Sequence, residues 1–151
     1  MRAIELFERC RDRGEEIRAL EDAIEDLENS VTSCASGIGE TVKSALGDRY
    51  LSYLTRKEGM ETQLRLLKRK RAAEQVGVIL LTDRLPEEMR DAVRLYYGRG
   101  RSIDQISILM NYSMRHIERL LKTFRDELKE ISAERVLGVL PKWYRETEGK
   151  P

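Results

Sequence analysis

Ser113 opens the stretch SMRHIERLLKTFRDELKE, in which Arg115, Arg119 and Lys122 recur at intervals of four and three. Residues so spaced share one face of an α-helix, and Ile117, Leu120, Leu121, Phe124, Leu128 and Ile131 fall on the opposite face. A guanidinium forks onto the acceptors of a guanine edge, and any fixed cation displaces counterions from phosphate. A helix with an apolar back and a basic front therefore suits a major groove. The chemistry expected of these residues is the binding of double-stranded DNA.

Other chemistry finds little footing. The single histidine, His116, lies on this same helix, with no nucleophile or carboxylate that the sequence places to use it. Cys10 and Cys34 have neither CxxC spacing nor histidine neighbours, so neither a zinc site nor a disulfide framework is expected. The reading is of no enzyme, no catalytic residue, no metal and no cofactor. A serine recombinase also ends in a helix-turn-helix, but it needs a long α/β segment ahead of it, and only helical patterns precede residue 85 here.

The elements that must position the basic helix are legible around it. Pro86 suits a first helical turn, and Met89, Ala92, Val93 and Tyr96 supply a buried face before Gly98 and Gly100 end that helix. Ser102, with Gln105 three residues on, forms a capping box for a short helix whose core side is Ile103, Ile106, Leu109 and Met110. Asn111 and Tyr112 make the turn, asparagine tolerating the left-handed backbone that such turns use. Ser113 caps the recognition helix, which runs to about Lys129.

Upstream, Leu6, Cys10, Ile17, Leu20, Ile24, Leu27 and Val31 are spaced by sevens, threes and fours, the narrow seam that two helices share. Arg13 and Gly14 interrupt it, so the first helix, about 3–30, is expected to start properly only after Gly14. Residues 29–48 turn to Ser, Thr, Gly and Ala and read as a linker, with room for a helical turn around Thr41 to Leu46. Asp48 is placed to cap a second helix, 48–81, striped by Tyr50, Tyr53, Met60, Leu64, Leu67 and Val78. Lys57 and Arg71 fall inside the stripe and must snorkel, and the run Lys68 to Arg71 reads first as a solvated surface and second as a contact to flanking phosphates. The fold class is all-α: a long antiparallel, coiled-coil-like hairpin over 1–82, a three-helix helix-turn-helix domain over 83–131, and a tail over 132–151. In the tail, Pro141 limits any helix, and Trp143 and Tyr144 either fold back or form a partner patch.

Net charge is only +1, but it is unevenly spread. Residues 1–30 carry ten acids against five bases, whereas 94–125 carry seven bases against two acids. The N-terminus is charged from the start and no apolar run approaches a membrane span, so a soluble protein of the bacterial cytoplasm is expected, with no membrane partner.

The run Leu85-Pro86, Ala92-Val93-Arg94-Leu95-Tyr96-Tyr97-Gly98, Gly100, Ser102-Ile103, Ile106, Tyr112-Ser113 and Ile117-x-x-Leu120 resembles region four of bacterial sigma factors. It also resembles the C-terminal domain of the small phage and prophage late-gene regulators of the ArpU and RinA type. The resemblance covers residues 85–131. It implies a recognition helix from Ser113 onward, with Met114, Arg115, Glu118, Arg119 and Lys122 facing DNA and Ser113 reaching a phosphate. Gln105, Ser107 and Asn111 depart from the acidic residue, alanine and glycine usual in that pattern. Nothing upstream resembles the sigma segments that melt promoters or bind the polymerase clamp.

The expected function is a sequence-specific transcription regulator of phage or prophage origin. Arg115 and Arg119 read base edges, while Lys122, Arg125, Arg99 and Arg101 hold phosphates. RNA polymerase is a second candidate partner, and a homodimer through the hairpin is the favoured oligomer. The alternative is a small terminase-like packaging protein, which joins a helix-turn-helix to helices but works as a ring. A third reading is an adaptor that has lost DNA binding.

Overall fold

In the computed structural model residues 1–35 and 43–148 are described, and every regular element among them is helical. These are α1 (Ala3–Ala35), α2 (Lys43–Thr82), α3 (Glu87–Val93) continued by a π turn (Arg94–Gly98), α4 (Ile103–Met110), α5 (Met114–Leu128), α6 (Ala133–Gly138) and α7 (Lys142–Glu148). The ends of the expected linker, 29–35 and 43–48, belong to α1 and α2, so Asp48 lies inside α2 and does not cap it. Residues 36–42, with Thr41, lie outside the described residues. Among the described residues no helix is long and apolar enough to cross a membrane.

The chain forms two compact units, Glu16–Lys68 and Met1–Glu15 with Arg69–Pro151. Thr82 is therefore not a boundary. Val78 and Leu81, in the last turns of α2, belong to the same buried cluster as Leu6, Phe7, Val93, Phe124 and Tyr144, because the ends of both long helices supply core that the short helices lack.

In Glu16–Lys68 the two helices run antiparallel. Lys57 pairs with Glu28 at 3.0 Å and Lys68 with Glu21 at 3.9 Å, so moving back along α1 moves forward along α2. The seam is thin. Ile17 and Ile24 are buried, whereas Leu20, Leu27, Tyr53, Met60, Leu64 and Leu67 are half-buried, as two helices without a third layer must leave them.

The other unit keeps the antiparallel sense, with Arg13 opposite Glu74 and Gly14 opposite Arg71. Here α1 is continuous through Gly14, and the expectation of a late start is corrected. A β-carbon at Gly14 would stand 3.1 Å from an Arg71 guanidinium nitrogen, so glycine provides the space in which that side chain lies. Nor does Arg13 interrupt the seam. It occupies a seam position and buries its charge against Glu74, which has no exposed surface. Arg13 Nε donates to Glu74 Oε1 at 3.1 Å, and the Tyr144 hydroxyl donates to Glu74 Oε2 at 2.7 Å. Burial, reinforced by that bond, pushes the Tyr144 hydroxyl above its ordinary value. Cys10 is buried in the same seam, which pushes its thiol up to about 12.

The tail thus folds back. Trp143 is half-buried and stacks under the Arg69 guanidinium at 4.2 Å, while Lys70 donates to Glu148 at 2.7 Å. The run Lys68 to Arg71 is not one solvated face: Arg69 and Lys70 hold α7, and Arg71 keeps its Nε buried rather than snorkelling.

Removing the Glu74 carboxylate takes from buried Arg13 its deepest partner and leaves it the part-exposed Glu148. Glu74→Ala is expected to lower stability by about 3–5 kcal/mol in urea unfolding, with a smaller loss in Glu74→Gln, which keeps an acceptor. Glu148 adds a pH dependence. Burial works to raise its pKa from 4.5, but the Lys70 hydrogen bond and the Arg13 and Arg9 charges more than offset this and hold it low. A carboxyl depressed in the fold contributes stability above its unfolded value and loses it as pH falls through the folded one. Unfolding free energy should therefore drop on acidification below about pH 4.5, and Glu148→Gln should flatten that part of the profile.

Candidate nucleic-acid interface

The basic helix is set by a chain of local devices that begins at α3. Met89, Ala92 and Val93 are buried as expected, but the next core residue is Tyr97 rather than Tyr96. The π turn over Arg94–Gly98 takes in one extra residue, so the inward position moves from 96 to 97. Tyr97 meets Phe7 edge-on at 5.5 Å, and Phe7 meets Phe124 of α5 at 5.1 Å. The displaced Tyr96 ring carries the Arg11 guanidinium 3.8 Å from its centre.

Gly100, at φ +68°, turns the chain into α4, a backbone that glycine adopts without strain. The capping box forms: Gln105 N–H donates to Ser102 Oγ at 3.2 Å and Ser102 N–H to Gln105 Oε1 at 3.1 Å. Asn111 ends α4 in the left-handed region at φ 57°. Ser107, which stands where the resembled pattern has alanine, donates its hydroxyl to the Tyr112 carbonyl at 2.5 Å, and its own carbonyl accepts from Tyr112 N–H at 3.1 Å. The serine thus fastens the turn. Ser113 then caps α5, accepting from His116 N–H at 3.2 Å.

Within α5, Ile117, Leu121, Phe124 and Leu128 are buried against α3, α4 and α1, and Leu120 is half-buried. Met114, Arg115, Glu118, Arg119 and Lys122 are all exposed. At 100° per residue Arg119 lies about 40° and Lys122 about 20° to either side of Arg115, so the three cations form one stripe. Among the described residues no carboxylate pairs with any of them. The stripe ends at Asp126, which pairs with Lys129 at 3.8 Å.

Arg125 stands apart. Its Nε donates to the Tyr97 hydroxyl at 3.0 Å, a bond that holds the guanidinium more firmly in its charged form. Arg99 and Arg101 are exposed in the loop around Gly100, and both line a cavity with Arg71 and Arg94 in which no α5 residue takes part.

Two expectations are corrected at this site. Leu109 is no core residue: it is 62% exposed, and Ile108 beside it 74%, because an eight-residue helix packed through Ile106 turns both outward. Tyr112 and Met114, in the turn and first residue of α5 that follow, are exposed apolar side chains as well. His116 does have a carboxylate: its Nε2 is hydrogen-bonded to Glu88 of α3, and its ring lies 4.9 Å from that of Tyr112. That contact braces α5 against α3. The sequence separation of Glu88 and His116 gives no periodic signal, so only the packing of α3 on α5 reveals the pair. Among the described residues no three His, Cys, Asp or Glu side chains group as a metal would require.

Comparison with protein-family models, with curated proteins and with solved structures gives no match. Ser113→Ala removes the α5 cap and should cost about 1 kcal/mol. A thermal melt should register the loss, and Ser113→Asp, which restores an acceptor, should recover it.

Proposed function

We propose that the protein is a sequence-specific DNA-binding regulator of transcription, of phage or prophage origin, that docks α5 in the major groove. The observation that carries this reading is the stripe of Arg115, Arg119 and Lys122, exposed and unpaired on a rigid helix of a helix-turn-helix. An arginine held by no carboxylate keeps its fork free for a base edge, and a helix locked by its cap and apolar back loses little freedom on docking. In this reading Arg115 and Arg119 contact bases with Met114 and Glu118 beside them. Ser113, Lys122, Arg99, Arg101 and Arg125 contact phosphates.

The phage origin follows from the resemblance to the late-gene regulators, whose region-four-like domain also follows helices. RNA polymerase is proposed as a second partner, supported by the exposed aliphatic side chains of Ile108 and Leu109 on α4. A homodimer is proposed through Glu16–Lys68, where Tyr50, Leu51 and Leu54 are exposed on α2.

The test is a footprint and affinity series on DNA selected from random sequence. Arg119→Ala should cost about 1–3 kcal/mol on the selected site and little on unrelated DNA, whereas Lys122→Ala should weaken all sequences alike and lower the salt slope by about one. Unchanged affinity and footprint in Arg119→Ala would remove α5 as the reading helix. A ring of many copies in light scattering would instead favour packaging over regulation.

A further inference from the structure

Arg99 and Arg101 belong to a cavity of about 530 Å³ whose wall also includes Arg71, Gln75 and Arg94. Four arginines line this space, and neither Asp nor Glu is among its described lining residues. None of the four charges is balanced within it. Arg94 is fixed by neutral acceptors, its Nε donating to Thr82 Oγ1 at 3.0 Å and an Nη to the Ile79 carbonyl at 3.1 Å. Arg71 lies against Gly14, and its buried Nε has no acceptor. The Arg99 and Arg101 side chains make no ion pair among the described residues.

The wall is held in place without them. Gln75 Nε2 donates to the Gly98 carbonyl at 2.8 Å, and Arg11 donates to the carbonyls of Tyr96 at 2.6 Å and Arg101 at 3.0 Å. These bonds tie α2 and α1 to the loop that carries Arg99 and Arg101, so the cations are presented by a braced frame. Like charges gathered in one concavity repel one another and attract a multivalent anion, and planar guanidinium forks match the oxygens of phosphate in pairs. The volume lies in the range of small-molecule pockets and exceeds what a lone phosphate fills.

We infer that this cavity is a phosphate-ester site, taking either a free phosphorylated molecule of about nucleotide size or a backbone phosphate of DNA lying beside the recognition helix. The site does not rest on the reading of α5, since no α5 residue lines it.

The experiment titrates the full chain with pyrophosphate at constant ionic strength while following arginine Nε–H resonances by NMR. Saturable shifts at Arg71 and Arg94 are expected, weakened about tenfold or more in Arg71→Gln. Arg99→Gln, at an exposed position that leaves the fold untouched, should weaken them too. Shifts that never saturate, or that sodium chloride reproduces, would overturn the site. A labelled DNA duplex then separates the sources. Displacement of pyrophosphate by the duplex, with weaker DNA affinity in Arg71→Gln, marks a backbone phosphate. Simultaneous binding, with DNA affinity unchanged in Arg71→Gln, marks a free phosphorylated ligand. Arg119→Ala should leave the pyrophosphate titration as it was, so failure of the groove-docking reading and failure of this site are separately visible.

Discussion

A carboxylate with no exposed surface, that of Glu74, constrains the larger unit. Leaving water is costly for such a charge unless donors meet it from the right directions, and each donor here comes from a different part of the chain. Arg13 donates to it from α1 and Tyr144 from α7, while Glu148 of α7 accepts a second bond from Arg13 at 3.1 Å. One slip of α1 along α2, or release of α7, would leave a buried charge unmatched. An apolar seam alone would tolerate such slips far better. The pair therefore sets register, in the way that polar seam positions do in coiled coils.

From that register the placement of α5 follows. Phe7 follows the seam position Leu6 and meets both Tyr97 and Phe124, which also touch each other, so the placement of α5 is tied to α1 through an aromatic triad. The basic stripe is then presented by a helix whose back is packed, whose start is capped and whose side is braced by Glu88 on His116. A helix so held leaves its exposed face little backbone freedom to lose.

What the sequence disclosed was local chemistry. Ser102 with Gln105, Asn111 in the left-handed region, Ser113 as cap and the face of α5 all follow from short-range rules, and they appear where those rules put them. What it hid was the outcome of competition between rules. Arg13 reads as a break because charge normally shuns a seam, and only its partner 61 residues away reverses that. Tyr96 and Tyr97 cannot be ranked without knowing that the helix widens there, and Leu109 looks like core until the brevity of α4 is seen. The cavity formed by Arg71, Arg94, Arg99 and Arg101 joins residues with no common period, so no pattern along the chain announces it.

The larger unit is discontinuous, closing residues 1–15 onto 69–151 around the intervening segment. Its first core residues leave the ribosome long before their partners in α5 and α7 exist. Ala3, Leu6, Phe7 and Cys10 must therefore wait, apolar and unmatched, beside a seam that can already zip locally. Contacts of such separation are closed late and slowly, after loop entropy has been overcome. The buried cluster therefore cannot be completed until Phe124 of α5 and Tyr144 of α7 have joined it.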